Sequence, residues 1–348
     1  MIKLILLTAS KLLPPAPPKA LVRAVLAAMA FWTALAATDA LAVVVPDLYQ
    51  AAVNAPDRSE AGLAAAFEAA LRVVVVKVTG RRSAPQEAAF APLLGNARRY
   101  MQQYRAGSGN QIWVAFDGPA LERWLAQGGL PLWGRDRPAT LMWIGVGDKN
   151  GGSVLTREDS TELKRSLDQQ AAARGIPLIW PTAADVTRYG VSFATLSQAP
   201  ASSLADSAKR AGAAGMLIGR AADARAASVR WVFLFQGRSA EYSGAAEGID
   251  RVADAYAGIY AASGESAPID IEVAGVGSLQ SYASVQTYLE SLTQLSKVSV
   301  VGFDNDILHL RVVARGGLEP LQRVLAQDGR LQATAPGPGG VPRFRASP

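Results

Sequence analysis

The chain has 348 residues, half of them apolar and 18% charged, with a formal net charge of +6, no cysteine and a single histidine, His309. This is ordinary globular composition. The missing cysteines exclude disulfides, thiol catalysis and an N-terminal lipid on cysteine, and with one histidine a structural zinc site has no ligand set.

Lys3, Lys11, Lys19 and Arg23 precede an apolar run from Ala24 to Ala37, and Ala40-Leu41-Ala42 follows with small residues at alternate positions. Basic, then apolar, then small is the order of a bacterial secretory signal, here expected to be cleaved after Ala42. The apolar run is shorter than the ~20 residues that span a bilayer. The expected location is therefore the periplasm, with an uncleaved inner-membrane anchor as the alternative. Much of the charge surplus sits in this leader. The rest is arginine-rich but not visibly clustered as a nucleic-acid footprint, so no nucleic-acid partner is expected.

From Val43 to Val53 the chain reads as an entry segment and strand. Asp57 or Ser59 can cap a helix that follows, with Leu63, Phe67, Leu71, Val74 and Val78 on one face and Gly80 as its stop. The run Val73–Val76 favours strand, which leaves the second half of that helix ambiguous. Residues 81–99 look irregular, with short helical turns. Two strands, Tyr100–Arg105 and Gln111–Asp117, flank the hairpin signal Ala106-Gly107-Ser108-Gly109-Asn110. A helix opens at Asp117-Gly118-Pro119 and ends at Gly128-Gly129.

Ala139–Val146 is a near-continuous apolar strand, as in a sheet covered on both faces. A helix over 159–174, a buried strand Ile176–Trp180 and a helix over 204–214 follow. Strands at 215–220, 229–236 and 240–243 then precede a helix over 249–262. Alternation of strands and helices predicts an α/β layer. Beyond Pro268 come a strand (269–276), a helix (279–295), a hairpin (298–303 with 307–313) and a helix (318–325). The tail, from about Thr334, is rich in proline and glycine and is expected to be disordered.

The predicted fold is α/β (α+β), built of small modules in strand–helix–strand–strand–helix order with mixed sheets and helices on their faces. The expected boundaries are 1–42 (signal), 43–137 (first module), 138–266 (central α/β module), 267–333 (C-terminal module) and 334–348 (tail). The first and third modules share their element order, and Leu121–Gly129 matches Leu321–Gly329 at Leu, Arg, Leu, Ala, Gln and Gly positions. Repetition of one module explains this, and so does the composition of any Ala/Leu-rich amphipathic helix.

Four spaced blocks carry a family resemblance: Leu48-Tyr49 through Asp57-Arg58-Ser59; Val76-Lys77-Val78-Thr79-Gly80-Arg81-Arg82; Asn96-Ala97-Arg98-Arg99-Tyr100-Met101-Gln102-Gln103-Tyr104; and Trp133-Gly134, Arg137-Pro138 and Leu141-Met142-Trp143. Together they resemble the exported proteobacterial family called domain of unknown function 2066, over roughly 43–262. The resemblance implies an envelope protein of a Gram-negative bacterium and supplies no catalytic residues.

Candidate sites are few. Arg81, Arg82, Arg98, Arg99 and Arg105, with Lys77, crowd one stretch opposed in sequence only by Glu87, and on one face they attract an anionic envelope component or an acidic protein. The alternative is a set of solvated charges. Gly145–Gly152 follows a strand but has neither dinucleotide nor Walker spacing, so a surface loop is the better reading. His309 shares a strand face with Arg311, away from Leu308 and Leu310, and reads as a surface residue. Asp148, Asp159, Asp185 and Glu241 offer carboxylates without a pairing pattern and read as caps or solvated charges. Trp113, Trp124, Trp143 and Trp231 read as core, Trp133 as the exposed tryptophan. No catalytic, cofactor or metal site is expected. The expected function is a non-enzymatic binding or scaffolding module for another envelope component, with a carboxylate-dependent cell-wall hydrolase as the alternative.

Overall fold

Ser59 opens the first long helix: its hydroxyl accepts the Gly62 N–H at 3.0 Å, and α1 (Glu60–Thr79) runs to Gly80, which ends it at φ 70°. The computed structural model describes residues 43–148, 151–198, 200–223, 228–245, 247–292 and 294–347. The expected leader and the expected cleavage site after Ala42 lie outside them. A Cβ on Gly80 would come within 2.3 Å of the Ala257 methyl, so turn and close approach both require glycine. The ambiguous valines are helical, and Val74, Val75 and Val78 are buried. Strand preference is worth only tenths of a kcal/mol per residue, whereas burying a valine is worth about 1.5 kcal/mol or more, so packing decides.

Val43–Val44 (β1) leads to Gln50–Asn54 (β2), which precedes α1. After α1, residues 84–90 make two 3₁₀ turns, followed by the single-turn helices α2 (Ala91–Leu94) and α3 (Ala97–Tyr100). Strands β3 (Met101–Ala106) and β4 (Gln111–Phe116) then pair as the expected hairpin. Helix α4 (Gly118–Gln127) is capped by Asp117, whose carboxylate accepts the Ala120 N–H at 3.0 Å. The three strands form an antiparallel sheet in the order β2-β4-β3. Phe67, Leu71 and Val74 of α1 pack with Ile112, Val114 and Phe116 of β4 to make its core.

Asp136–Arg137 (β5) pairs with β1 and leads into β6 (Thr140–Val146), buried at every position. Ser153–Val154 (β7), helix α5 (Glu162–Arg174) and Leu178–Ile179 (β8) follow. The strand expected over 176–180 is thus only two residues long. Two short helices were not anticipated, α6 (Ala183–Arg188) and α7 (Phe193–Gln198). They are single-surface elements, too short for a helical period to show. Helix α8 (Ala205–Arg210) is shorter than the expected 204–214. Strands β9 (Gly215–Ala221), β10 (Val229–Phe235) and β11 (Arg238–Ser243) and helix α9 (Glu247–Tyr260) complete this layer. Its sheet runs β11-β10-β9-β6-β7, with β8 also on β6; β6 is parallel to β8 and β9 and antiparallel to β7. Met142 and Ile144 face a core shared with Leu167, Val252 and Tyr256, while Leu141 and Trp143 face another with Val191 and Leu196. Both faces are covered, which is why β6 is apolar but for Thr140, whose hydroxyl bonds the Tyr256 hydroxyl at 3.0 Å.

The last sheet contains β12 (Ser266–Ala274), β13 (Leu295–Asp304) and β14 (Ile307–Arg315), with helices α10 (Leu279–Ser291) and α11 (Leu318–Asp328) on its apolar face. The tail corrects an expectation. Leu331–Ala333 (β15) and Arg343–Ala346 (β16) are strands, and the sheet order is β13-β14-β12-β16-β15. β16 lies parallel to β12, and its Phe344 is buried among Ile271, Val273 and Leu325. Proline and glycine lower the average hydrophobicity of the tail, but one aromatic anchor and one ion pair, Arg343 Nε to the buried Glu272 at 2.7 Å, order it. The first and last sheets share a strand order: β2-β4-β3 corresponds to β12-β14-β13, and in each the second strand of the module lies at an edge.

Trp133 corrects a second expectation. It is fully buried, under the Arg137 guanidinium at 4.0 Å. All five guanidinium N–H groups of Arg137 are used: Nε on Gly134 O (2.8 Å), Nη1 on Arg174 O and Gly175 O (3.2 and 3.0 Å), and Nη2 on Lys77 O and Trp133 O (2.6 and 2.8 Å). Three of these acceptors lie at the C-terminal ends of α1 and α5, where carbonyls lack intrahelical partners and the helix dipole is negative. Burial lowers the pKa of Arg137, but a guanidinium keeps its proton at neutral pH. Replacing Arg137 by methionine strands these carbonyls and is expected to cost about 3–5 kcal/mol in denaturant unfolding. Lysine, lacking the fork, recovers little of that loss. Phe344→Ala is expected to cost about 3–5 kcal/mol in the same measurement, whereas a disordered tail would give no change.

Candidate interaction surfaces

The five arginines singled out in the sequence do not form one patch. Helix α1 spans about 30 Å. Arg98 reaches Glu60 at its N-terminal end (3.2 Å), while Arg81 and Arg82 follow its C-terminal end. The set divides into two.

At the C-terminal end Arg81 pairs with Glu87, and Arg82 bonds Asp250 on α9 at 2.5 Å. The buried Arg174 bonds Gly80 O (3.1 Å) and Asp254 (2.5 Å) and lies 3.5 Å from Asp250. Arg81 and Asp254, with Thr79, Gly80, Pro131 and Ala257, line a cleft of about 370 Å³. In sequence only Glu87 stands near these arginines as an opposing acid, because Asp250 and Asp254 arrive from about 170 residues downstream. Here the arginines join elements of the fold.

Lys77 is buried and donates to Asp47 O (3.2 Å) and Gln50 O (2.8 Å), tying α1 to the start of β2. Burial pulls its pKa down from 10.5 to about 8. Its charge is therefore disfavoured in the folded state. Between pH 8 and 10.5 the unfolded chain binds the extra proton, so stability rises with pH across that window. Relative to Lys77→Met, which cannot titrate, the unmodified chain is expected to gain up to about 3 kcal/mol between pH 8 and 10.5, read from denaturant midpoints.

At the other end Arg98 and Arg99 occupy the last turn of α3, immediately before β3. Both are exposed, as are all residues from Gln102 to Ala106. β3 pairs only with β4 among the described residues, which leaves one side of its backbone open. Arg105 stacks 4.1 Å over Trp113, its register partner on β4, and Tyr104, 45% exposed, lies 5.1 Å from the Phe67 ring. Trp113 is half-buried rather than a core residue. This arrangement offers unpaired backbone groups, cations and aromatic rings along one edge, which sequence spacing could not reveal because edge position is a property of the assembled sheet.

The remaining candidates have structural neighbours. Asp159 accepts from Thr156 N and Oγ1 (2.7 and 2.8 Å), and Asp185 forms a capping box with Thr182, which holds its carboxyl below the usual range. Asp148 accepts the Gly152 N–H at 3.0 Å within the glycine loop, of which residues 149–150 lie outside the described residues. Glu241 is exposed on the edge strand β11. His309 is partly exposed, with Nδ1 3.5 Å from Glu272. Among the described residues no group of three metal-ligating side chains converges, and no helix is long and apolar enough to cross a membrane.

The architecture is thus α/β, with mixed and antiparallel sheets under helices. Residues 42–134, which include the first sheet and the β3 edge, match the model of a domain of unknown function, DUF8605. An uncharacterised domain is thus found over the first part of the stretch, 43–262, that carries the sequence resemblance, under a family description other than the one expected. No curated protein and no solved structure matches the chain.

Proposed function

We propose that this chain is an exported, non-enzymatic binding module of the Gram-negative envelope, and that its partner adds an extended, acidic segment to the β3 edge. The observation that carries this reading is the edge itself. Five consecutive exposed residues on a strand paired on one side leave backbone donors and acceptors for an added strand. Arg98, Arg99 and Arg105 set the charge of the segment, and the Arg105–Trp113 stack and Tyr104 supply apolar contact. The leader pattern and the resemblance to the exported 2066 family support the periplasmic setting, with cleavage after Ala42.

A photo-crosslinking residue at Gln102 is expected to capture a discrete partner in intact cells, while one at Ser239 on the β11 edge does not. The triple change Arg98→Glu, Arg99→Glu and Arg105→Glu is expected to weaken the Gln102 adduct by about tenfold or more, since like charges then face the segment. Equal capture at both edges, or an adduct indifferent to the charge reversal, contradicts the reading. Osmotic-shock fractionation with N-terminal sequencing tests the setting: a mature chain beginning at Val43 is expected in the periplasmic fraction.

A further inference from the structure

The C-terminal sheet has an edge of a different character. Strand β13 is ten residues long and pairs only with β14 among the described residues. Its outer end exposes Val300, Val301 and Phe303 at 48, 59 and 55%. Long apolar edges are ordinarily shortened, charged or covered, because they template pairing with another chain.

We infer that β13 pairs with β13 of a second copy, antiparallel about a two-fold axis between Val300 and Val301, joining two five-stranded sheets into one. This goes beyond the β3 reading and does not depend on it. Register carries the inference. Val298, Val300 and Phe303 lie opposite Val312, Leu310 and Leu308 and so share the helix-covered face, while Lys297, Ser299, Gly302 and Asp304 lie opposite Val313, Arg311, His309 and Ile307 on the other face. A bulge between Val300 and Gly302 inserts Val301 and shifts the alternation by one. Without it, a two-fold axis between two residues would set opposite faces against each other.

With it, the pairs on both sides of the centre agree in face. Val298 opposes the second copy's Phe303, a β-branched–aromatic pair on the apolar face; Ser299 opposes Gly302, and the two central valines meet. Lys297 opposes Asp304 at both ends, so the charges that flank the apolar stretch are complementary to themselves. A slip of one residue sets Phe303 against Lys297 or Ser299, from the other face. The bulge and the end charges therefore permit one register and reject its neighbours. Such a contact is isologous and closed, giving a dimer rather than a filament.

The test uses the purified chain, which has no native cysteine to confuse it. Val298→Cys and Phe303→Cys, each alone, leave like thiols roughly 15 Å apart across the axis, beyond disulfide reach. Mixed under mild oxidation, the two single variants are expected to form a disulfide-linked dimer that neither forms alone. In sedimentation across a concentration series, Lys297→Glu is expected to raise the dimer dissociation constant about tenfold or more. Adding Asp304→Lys to it restores the value. Both residues are exposed, and circular dichroism of each variant against the unmodified chain is the check that folding is retained. A chain that stays monomeric throughout, a dimer indifferent to Lys297→Glu, or equal crosslinking by the single variants overturns the inference.

Discussion

Five carbonyl oxygens converge on one buried guanidinium, and the arrangement of the sheets follows from it. Arg137 collects the C-terminal end of α1, the C-terminal end of α5 and the 133–134 turn around a single planar cation. Helix ends normally turn to water or to capping residues to satisfy their last carbonyls. Here two helices from different layers end against the same side chain, so neither can shift without unpairing a buried charge. Trp133 closes the site from beneath, and Arg174 extends it to Gly80 and to the acids of α9. The three-stranded sheet is thus held on the central sheet by buried cations as well as by apolar packing.

That constraint explains why the arginine-rich stretch splits. The basic residues near the C-terminal end of α1 are needed where helix ends meet, and acids from α9 balance them. Of those at the other end, Arg98 meets Glu60 and Arg105 meets Trp113, and all remain on the surface beside an open strand. A cation buried among carbonyls and a cation stacked on a half-buried ring are alike in sequence. Their surroundings separate a structural role from an available one.

The first and last sheets share the order of three strands and leave the corresponding strand, β3 or β13, at an edge, yet these edges differ in chemistry. β3 carries glutamine, tyrosine and arginine; β13 carries valine and phenylalanine between a lysine and an aspartate. The first suits a partner of opposite charge, the second a surface complementary to itself. Each strand also carries a bulge, which on an edge narrows the set of registers that an added strand can adopt.

Local physical chemistry made much of the fold legible. Helical spacing with a serine cap and a glycine stop placed α1, turn residues placed the β3–β4 and β13–β14 hairpins, and near-continuous apolarity identified β6 as a strand covered on both faces. These signals lie within one element and need no partner to be read. What depends on elements distant in the chain was decided only by assembly. Trp133 sits in a loop that looks exposed until Arg137 folds over it, and the tail looks too polar to order until Phe344 and Arg343 find β12. The arginine stretch is continuous in sequence but divided by the length of a helix. Which strand becomes an edge, and which residues its bulge turns to each face, depends on hydrogen bonds between segments that no local pattern records.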